Sequence, residues 1–145
     1  MKNVTLILLL FLFPFCFGCS TLFSGVDFPA FPVKSNKFGY LVGKGYKTTK
    51  ALMIGKFEQS WGGYVLVVPS FNVKKIVDVP PGSSVVVEHI SKSYNFTSGA
   101  TYHYIAFLED KNIFQGKFDL EFLTVGSDDN LTLDPNYFQE IKRKR

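Results

Sequence analysis

At 145 residues, with 46% hydrophobic side chains and a formal net charge of +4, the chain has room for one domain that buries its own core. So small a charge, on lysines scattered through turns rather than interleaved with aromatics, is no nucleic-acid footprint, and nucleic acid is not an expected partner. The two cysteines, Cys16 and Cys19, lie close together near the start, which excludes a disulfide framework, a cysteine zinc site and a thiol nucleophile from the rest of the chain.

The first elements read as a leader. Met1-Lys2-Asn3 is followed by an apolar run from Val4 to Phe17 and then by Gly18-Cys19-Ser20, the three-part layout of a signal peptide over residues 1–18. The run is about fourteen residues long, whereas a spanning helix needs roughly 20, so it fits a removable segment better than a permanent anchor. Pro14 interrupts helix near the end of the run, as a cleavage region tolerates.

The tetrad Cys16-Phe17-Gly18-Cys19 resembles a relaxed lipobox of bacterial lipoproteins. Gly18 and Cys19 match that pattern, while Cys16 stands where a leucine-like residue is usual and Phe17 where a small one is. The resemblance implies cleavage before Cys19, diacylglycerol on its sulfur and a further acyl chain, such as palmitate, on the new amino group. Each buried CH₂ contributes about 0.8 kcal/mol, so two or more chains hold the protein on a membrane where one would not. Ser20 replaces the aspartate that marks inner-membrane retention, which implies delivery to the outer membrane, on its periplasmic face or at the cell surface. The competing readings are a plain secretory leader cut near Gly18 or Ser20, and a secreted eukaryotic chain in which Asn95-Phe96-Thr97 and Asn130-Leu131-Thr132 would be glycosylation sequons.

Residues 19–36, with Pro29 and Pro32 and no clear periodicity, read as a lipidated tether. Residues 37–133 then read as a run of short strands. Phe38, Tyr40 and Val42 alternate up to Gly43-Lys44-Gly45, with Tyr46 opening the return arm of a hairpin; the glycine pair lacks the Walker spacing of a phosphate loop. Ala51 to Phe57 is a second strand, ended by Gln59-Ser60-Trp61-Gly62-Gly63. Tyr64 to Val68 is apolar throughout, as a central strand buried on both faces is, and Pro69 stops it. Val73–Val79 and Val85–Ile90 flank Pro80-Pro81-Gly82-Ser83, where Gly82 suits the third position of a type II turn. Thr101–Leu108 is a long strand, Glu109–Asn112 a turn, and Phe114–Val125 an alternating run with Phe118, Leu120 and Phe122 on one side. Turn signals at this spacing predict an all-β fold, a small antiparallel β-sandwich of the transthyretin or immunoglobulin kind. Residues 134–145 are expected as a short helix with a basic tail, Asp134 as N-cap, Pro135 as first helical residue, and Tyr137, Phe138 and Ile141 as its apolar face.

Val79-Pro80-Pro81-Gly82, Val85-Val86-Val87 and Gly99-Ala100-Thr101-Tyr102-His103-Tyr104 also resemble a family of small bacterial lipoproteins with transthyretin-like domains and no assigned function. The resemblance implies a fold rather than an activity.

Few residues suggest chemistry. His89 and His103, with Glu88 beside one and tyrosines beside the other, are the candidates for metal binding or acid–base work. Alternation puts His103 on a face with Ile105 and Phe107, so a hydrogen-bonded boundary role competes, and a metal site would need three or four convergent donors. No serine sits in a nucleophile elbow. Asp128-Asp129-Asn130 with Asp134 lacks the calcium-loop spacing and reads as a turn before a cap. Trp61 is a candidate for stacking on sugar or protein, against the simpler reading that it packs over the end of the domain. Lys142-Arg143-Lys144-Arg145 reads as a solvated tail or a contact to anionic lipid. The expected protein is therefore a lipid-anchored envelope β-sandwich acting as a binding or structural module, with an envelope protein or a glycan as its partner, no catalysis and no cofactor. A metal-dependent protein or hydrolase using His89 and His103, and a surface-exposed adhesin-like lipoprotein, are the alternatives.

Overall fold

The structure, a computed structural model, describes residues 33–58, 63–95, 99–126 and 130–142. The leader, Cys19 and most of the tether lie outside the described residues, as do Trp61, Asp128, Asp129 and the last three residues of the basic tail.

The described chain is built of strands: β1 (Val33–Lys34), β2 (Gly45–Thr48), β3 (Leu52–Lys56), β4 (Tyr64–Val67), β5 (Lys74–Val79), β6 (Ser84–Asn95), β7 (Gly99–Leu108), β8 (Lys117–Asp119), β9 (Thr124–Val125), β10 (Thr132–Leu133) and β11 (Phe138–Glu140). One sheet runs β11-β2-β6-β7-β8-β4-β3-β5, with β1 also pairing β6, and β9 and β10 form a separate two-stranded ribbon. The all-β expectation holds. The sheet is mixed rather than antiparallel throughout, because β4 and β8 pair in parallel; these two strands are joined through β5, β6 and β7, the kind of long connection a parallel pair requires.

This sheet cannot be flat. Strands β5 and β6 sit five places apart in its order, as do β2 and β3, a separation of about 24 Å at ordinary strand spacing. The chain from Val79 to Ser84 reaches at most roughly 18 Å, and that from Thr48 to Leu52 roughly 14 Å. The sheet therefore folds over until the two regions meet. Thr48 closes the seam: its Oγ1 donates to Pro80 O (2.9 Å) and accepts from Ser83 N (3.0 Å), and its carbonyl accepts from Gly82 N (2.7 Å). Gly82 takes φ 87°, as the expected type II turn requires.

The fold-over gives the sheet an inner face lined by Tyr46, Leu52, Ile54, Leu66, Val79, Val85, Val87, Ile90, Tyr104, Ala106, Leu108 and Phe118, which make one core with Leu41, Leu120 and Leu133. A second, smaller cluster covers the outer face of β3 and β4: Met53, Val65 and Val67 under Phe57, Phe71 and Val73. Strand β4 is thus buried on both faces, as its unbroken apolar run predicts, Leu66 facing one cluster and Val65 and Val67 the other.

Three expectations are corrected. Phe38–Val42 is not a hairpin arm: Phe38 adopts φ 61°, Leu41 N donates to Phe38 O (2.9 Å), and Gly39–Leu41 is a 3-10 turn that sends Leu41, not Tyr40 or Val42, into the core. The run Phe114–Val125 is strand only over Lys117–Asp119 before a second 3-10 turn, Glu121–Leu123, leaving Phe122 42% exposed. The C-terminal helix is absent from the described residues. Asp134 does cap a turn, accepting from Asn136 N (2.8 Å) through Oδ1 and from Tyr137 N and Phe138 N (3.0 Å each) through its carbonyl. A helix this short has no independent stability, and pairing with β2 wins: Phe138 opposes Thr48, is buried, and packs edge-on against Tyr46. Strands β1 and β11 also pair into this sheet, with β6 and β2 respectively.

Candidate functional site

Strands β6 and β7 form a long antiparallel hairpin from Val85 opposite Leu108 to Asn95 opposite Gly99, with a bulge between Val87 and His89. The bulge decides which side chains meet. Before it, Val85 and Val87 face the core; after it, Ile90 does, opposite Tyr104. The extra residue reverses the alternation, so Ser91 and Ser93 join His103 and Thr101 on the outer face. Without it, two serines would point into the core.

On this face Ser93 Oγ lies 2.7 Å from His103 Nε2, and His103 Nδ1 lies 2.5 Å from Asp119 Oδ2. Asp119, itself mostly buried, ends β8. Its Oδ1 accepts from Tyr104 N and from Glu121 N, both at 2.9 Å. The first bond replaces a ladder bond at the end of the strand. The second is an Asx turn that bends the chain into the 3-10 turn, and that bend brings Glu121 Oε2 to 3.5 Å from His103 Nδ1.

The charges follow from this geometry. The hydrogen bond to Asp119 raises the pKa of His103 above the ordinary imidazole value; burial opposes it, and the charges of Asp119 and Glu121 add to it. Burial, reinforced by the Asp119 charge and opposed by His103, raises that of Glu121 above the usual carboxylate range. An imidazolium here donates from both ring nitrogens, to Asp119 and to Ser93. The set can hold a proton between two carboxylates and an imidazole. Alternatively, His103, Asp119 and Glu121 each present one ligand atom, all within 4.8 Å of one another.

The other candidate histidine is elsewhere. His89 opposes Ile105, which lies between it and Asp119 across the sheet. Its Nδ1 meets Glu88 Oε2 at 3.2 Å, and Glu88 in turn meets Lys117 Nζ at 2.6 Å. The lysine hydrogen bond is the largest cause holding the Glu88 carboxyl below its ordinary value. The sequence reading missed Ser93, Asp119 and Glu121. The available signal was Asp119 itself, an acid between two core residues, Phe118 and Leu120, where burial demands partners. No protein family, curated protein or solved structure is found to match the chain.

Proposed function

We infer that the chain is a lipid-anchored protein of the cell envelope, its folded-over sheet serving as a β-sandwich module that binds or braces other envelope components. The observation that carries this reading is Gly18-Cys19 closing an apolar run too short to span a bilayer, with a strand-built domain under way by Val33. Two or more acyl chains on Cys19 would hold that domain at the outer membrane. Partners, an envelope protein or a glycan, would meet it through loops and through the outer edge of β5, which no strand among the described residues pairs and where Ile76 is exposed. Lys74, Lys75 and a register shift opposite Gly55 make that edge a poor template for self-association. Radiolabelled palmitate is expected to enter the wild-type protein and not Cys19→Ser; equal labelling, or none in either, overturns the anchor.

A hydrolase is the second reading, because Ser93–His103–Asp119 has the order of contacts of a catalytic triad. The non-catalytic reading is favoured. Ser93 lies mid-strand in a regular ladder, not on the sharp elbow that projects a nucleophile. A fluorophosphonate probe should leave Ser93 unlabelled; stoichiometric labelling lost in Ser93→Ala would establish the hydrolase instead.

A further inference from the structure

We propose that His103, Asp119 and Glu121 form a binding site for a divalent first-row transition metal, zinc or manganese, on the outer face of the sheet. The ligands would be His103 Nδ1, Asp119 Oδ2 and Glu121 Oε2. This inference is independent of the lipid anchor and stands if the anchor fails.

The three ligand atoms all lie within 4.8 Å of one another, and the two spacings at His103 Nδ1 are close to what such an ion needs. Metal–ligand bonds of about 2.0–2.2 Å in a tetrahedral site place ligand atoms roughly 3.3–3.5 Å apart. His103 Nδ1 and Glu121 Oε2 are already 3.5 Å apart. Nδ1 and Asp119 Oδ2, at 2.5 Å, must open by less than about 1 Å to that spacing. The anchoring allows that movement: Asp119 Oδ1 accepts from two backbone N–H groups and serves as the pivot about which the carboxylate turns to re-aim Oδ2.

The surroundings are those of a ligand set. A histidine that binds metal through one nitrogen gives its other N–H to a fixed acceptor, which sets the tautomer and ring angle. Ser93 Oγ, 2.7 Å from Nε2 on the opposite side of the ring, is that acceptor. It is a side chain of neither acidic residue and belongs to a different strand. His103 and Asp119 ride on paired strands, and Glu121 is held in place by the Asx turn. One imidazole and two carboxylates suit zinc, manganese or ferrous iron. They lack the six to eight oxygens calcium takes and the sulfur that copper(I) prefers. Three protein ligands also leave a position for water or for a donor from a partner.

The test is isothermal titration of the full-length protein in detergent with zinc chloride and with manganese chloride, supported by cobalt(II) absorption as a coordination signature. One equivalent per chain is expected. Glu121→Gln, whose side chain is partly exposed and whose backbone bond to Asp119 is retained, should weaken binding at least tenfold while keeping the wild-type circular-dichroism spectrum. Ser93→Ala should weaken it by about 10–100-fold. His89→Ala should leave it unchanged. Substoichiometric binding of every ion, or one equivalent bound equally well by wild type, Glu121→Gln and His103→Ala, overturns the site.

Discussion

The two faces of the sheet follow different rules. The inner face is apolar from β2 to β5, and its side chains gather from strands distant in sequence because short connections force the sheet to fold over. The outer face is divided. Over β3 and β4 a small aromatic patch covers it, while over β6, β7 and β8 it carries Ser93, His103, Asp119 and Glu121 in one hydrogen-bonded group. The difference shows where the stability and the chemistry of this domain reside: burial of hydrocarbon holds the inside, and the outside is organised by a bulge in β6 and by one aspartate that stops β8.

The largest effect should separate the two faces. Phe118→Ala removes a side chain that is 1% exposed and should cost about 3–5 kcal/mol. Phe71→Ala, in the half-buried outer patch, should cost less than about 2 kcal/mol on the same hydrophobic scale. Urea denaturation midpoints would measure both, and equal losses would mean that the outer patch is a second core.

Next comes the seam that makes an inside at all. Thr48→Val keeps the shape but removes the hydroxyl that donates to Pro80 O and accepts from Ser83 N; Pro80 O keeps its bond from Ser83 Oγ (2.7 Å), so the loss should be that of ordinary hydrogen bonds, about 0.5–1.5 kcal/mol. A loss below about 0.5 kcal/mol would show that water substitutes there.

The polar face should reveal itself through pH. The folded state binds the His103 proton more tightly than the unfolded state. Its contribution is complete below the unfolded value of about 6.5 and is lost as pH rises through the folded value. Glu121 acts in the same direction at lower pH: its folded carboxyl resists ionisation, so stability falls as pH rises from about 4.3, the unfolded value. Thermal denaturation should therefore show stability declining with pH through the imidazole range, and His103→Gln should flatten that decline. A slope that survives the substitution would assign it to another group. The smallest effect belongs to the exposed pair Lys75–Asp78 (3.0 Å), where Lys75→Ala should change stability by less than about 0.5 kcal/mol.

Much of the inner face was legible in the sequence. Tyr64–Val68 announced a strand buried on both faces, Pro80-Pro81-Gly82-Ser83 a turn between strands, and Thr101–Leu108 a long arm, since burial and turn chemistry act within a few residues. The errors occurred where a local signal met a stronger nonlocal one. Asp134 and Pro135 carry a genuine helix start, but pairing with β2 and burial of Phe138 outweighed one turn of helix. The alternation of Phe118, Leu120 and Phe122 continued on paper past Asp119, whose side-chain bonds end the strand. The site was least legible because no residue type announces the β6 bulge, and only with that bulge does Ser93 share a face with His103.

The central functional claim is that Cys19 carries the protein to a membrane, and intact-mass spectrometry of the native protein extracted from membranes tests it most directly. The account predicts a chain beginning at Cys19 that is heavier than its sequence by two or three acyl chains. A chain that retains residues 1–18, or one whose Cys19 is unmodified or removed, would contradict it.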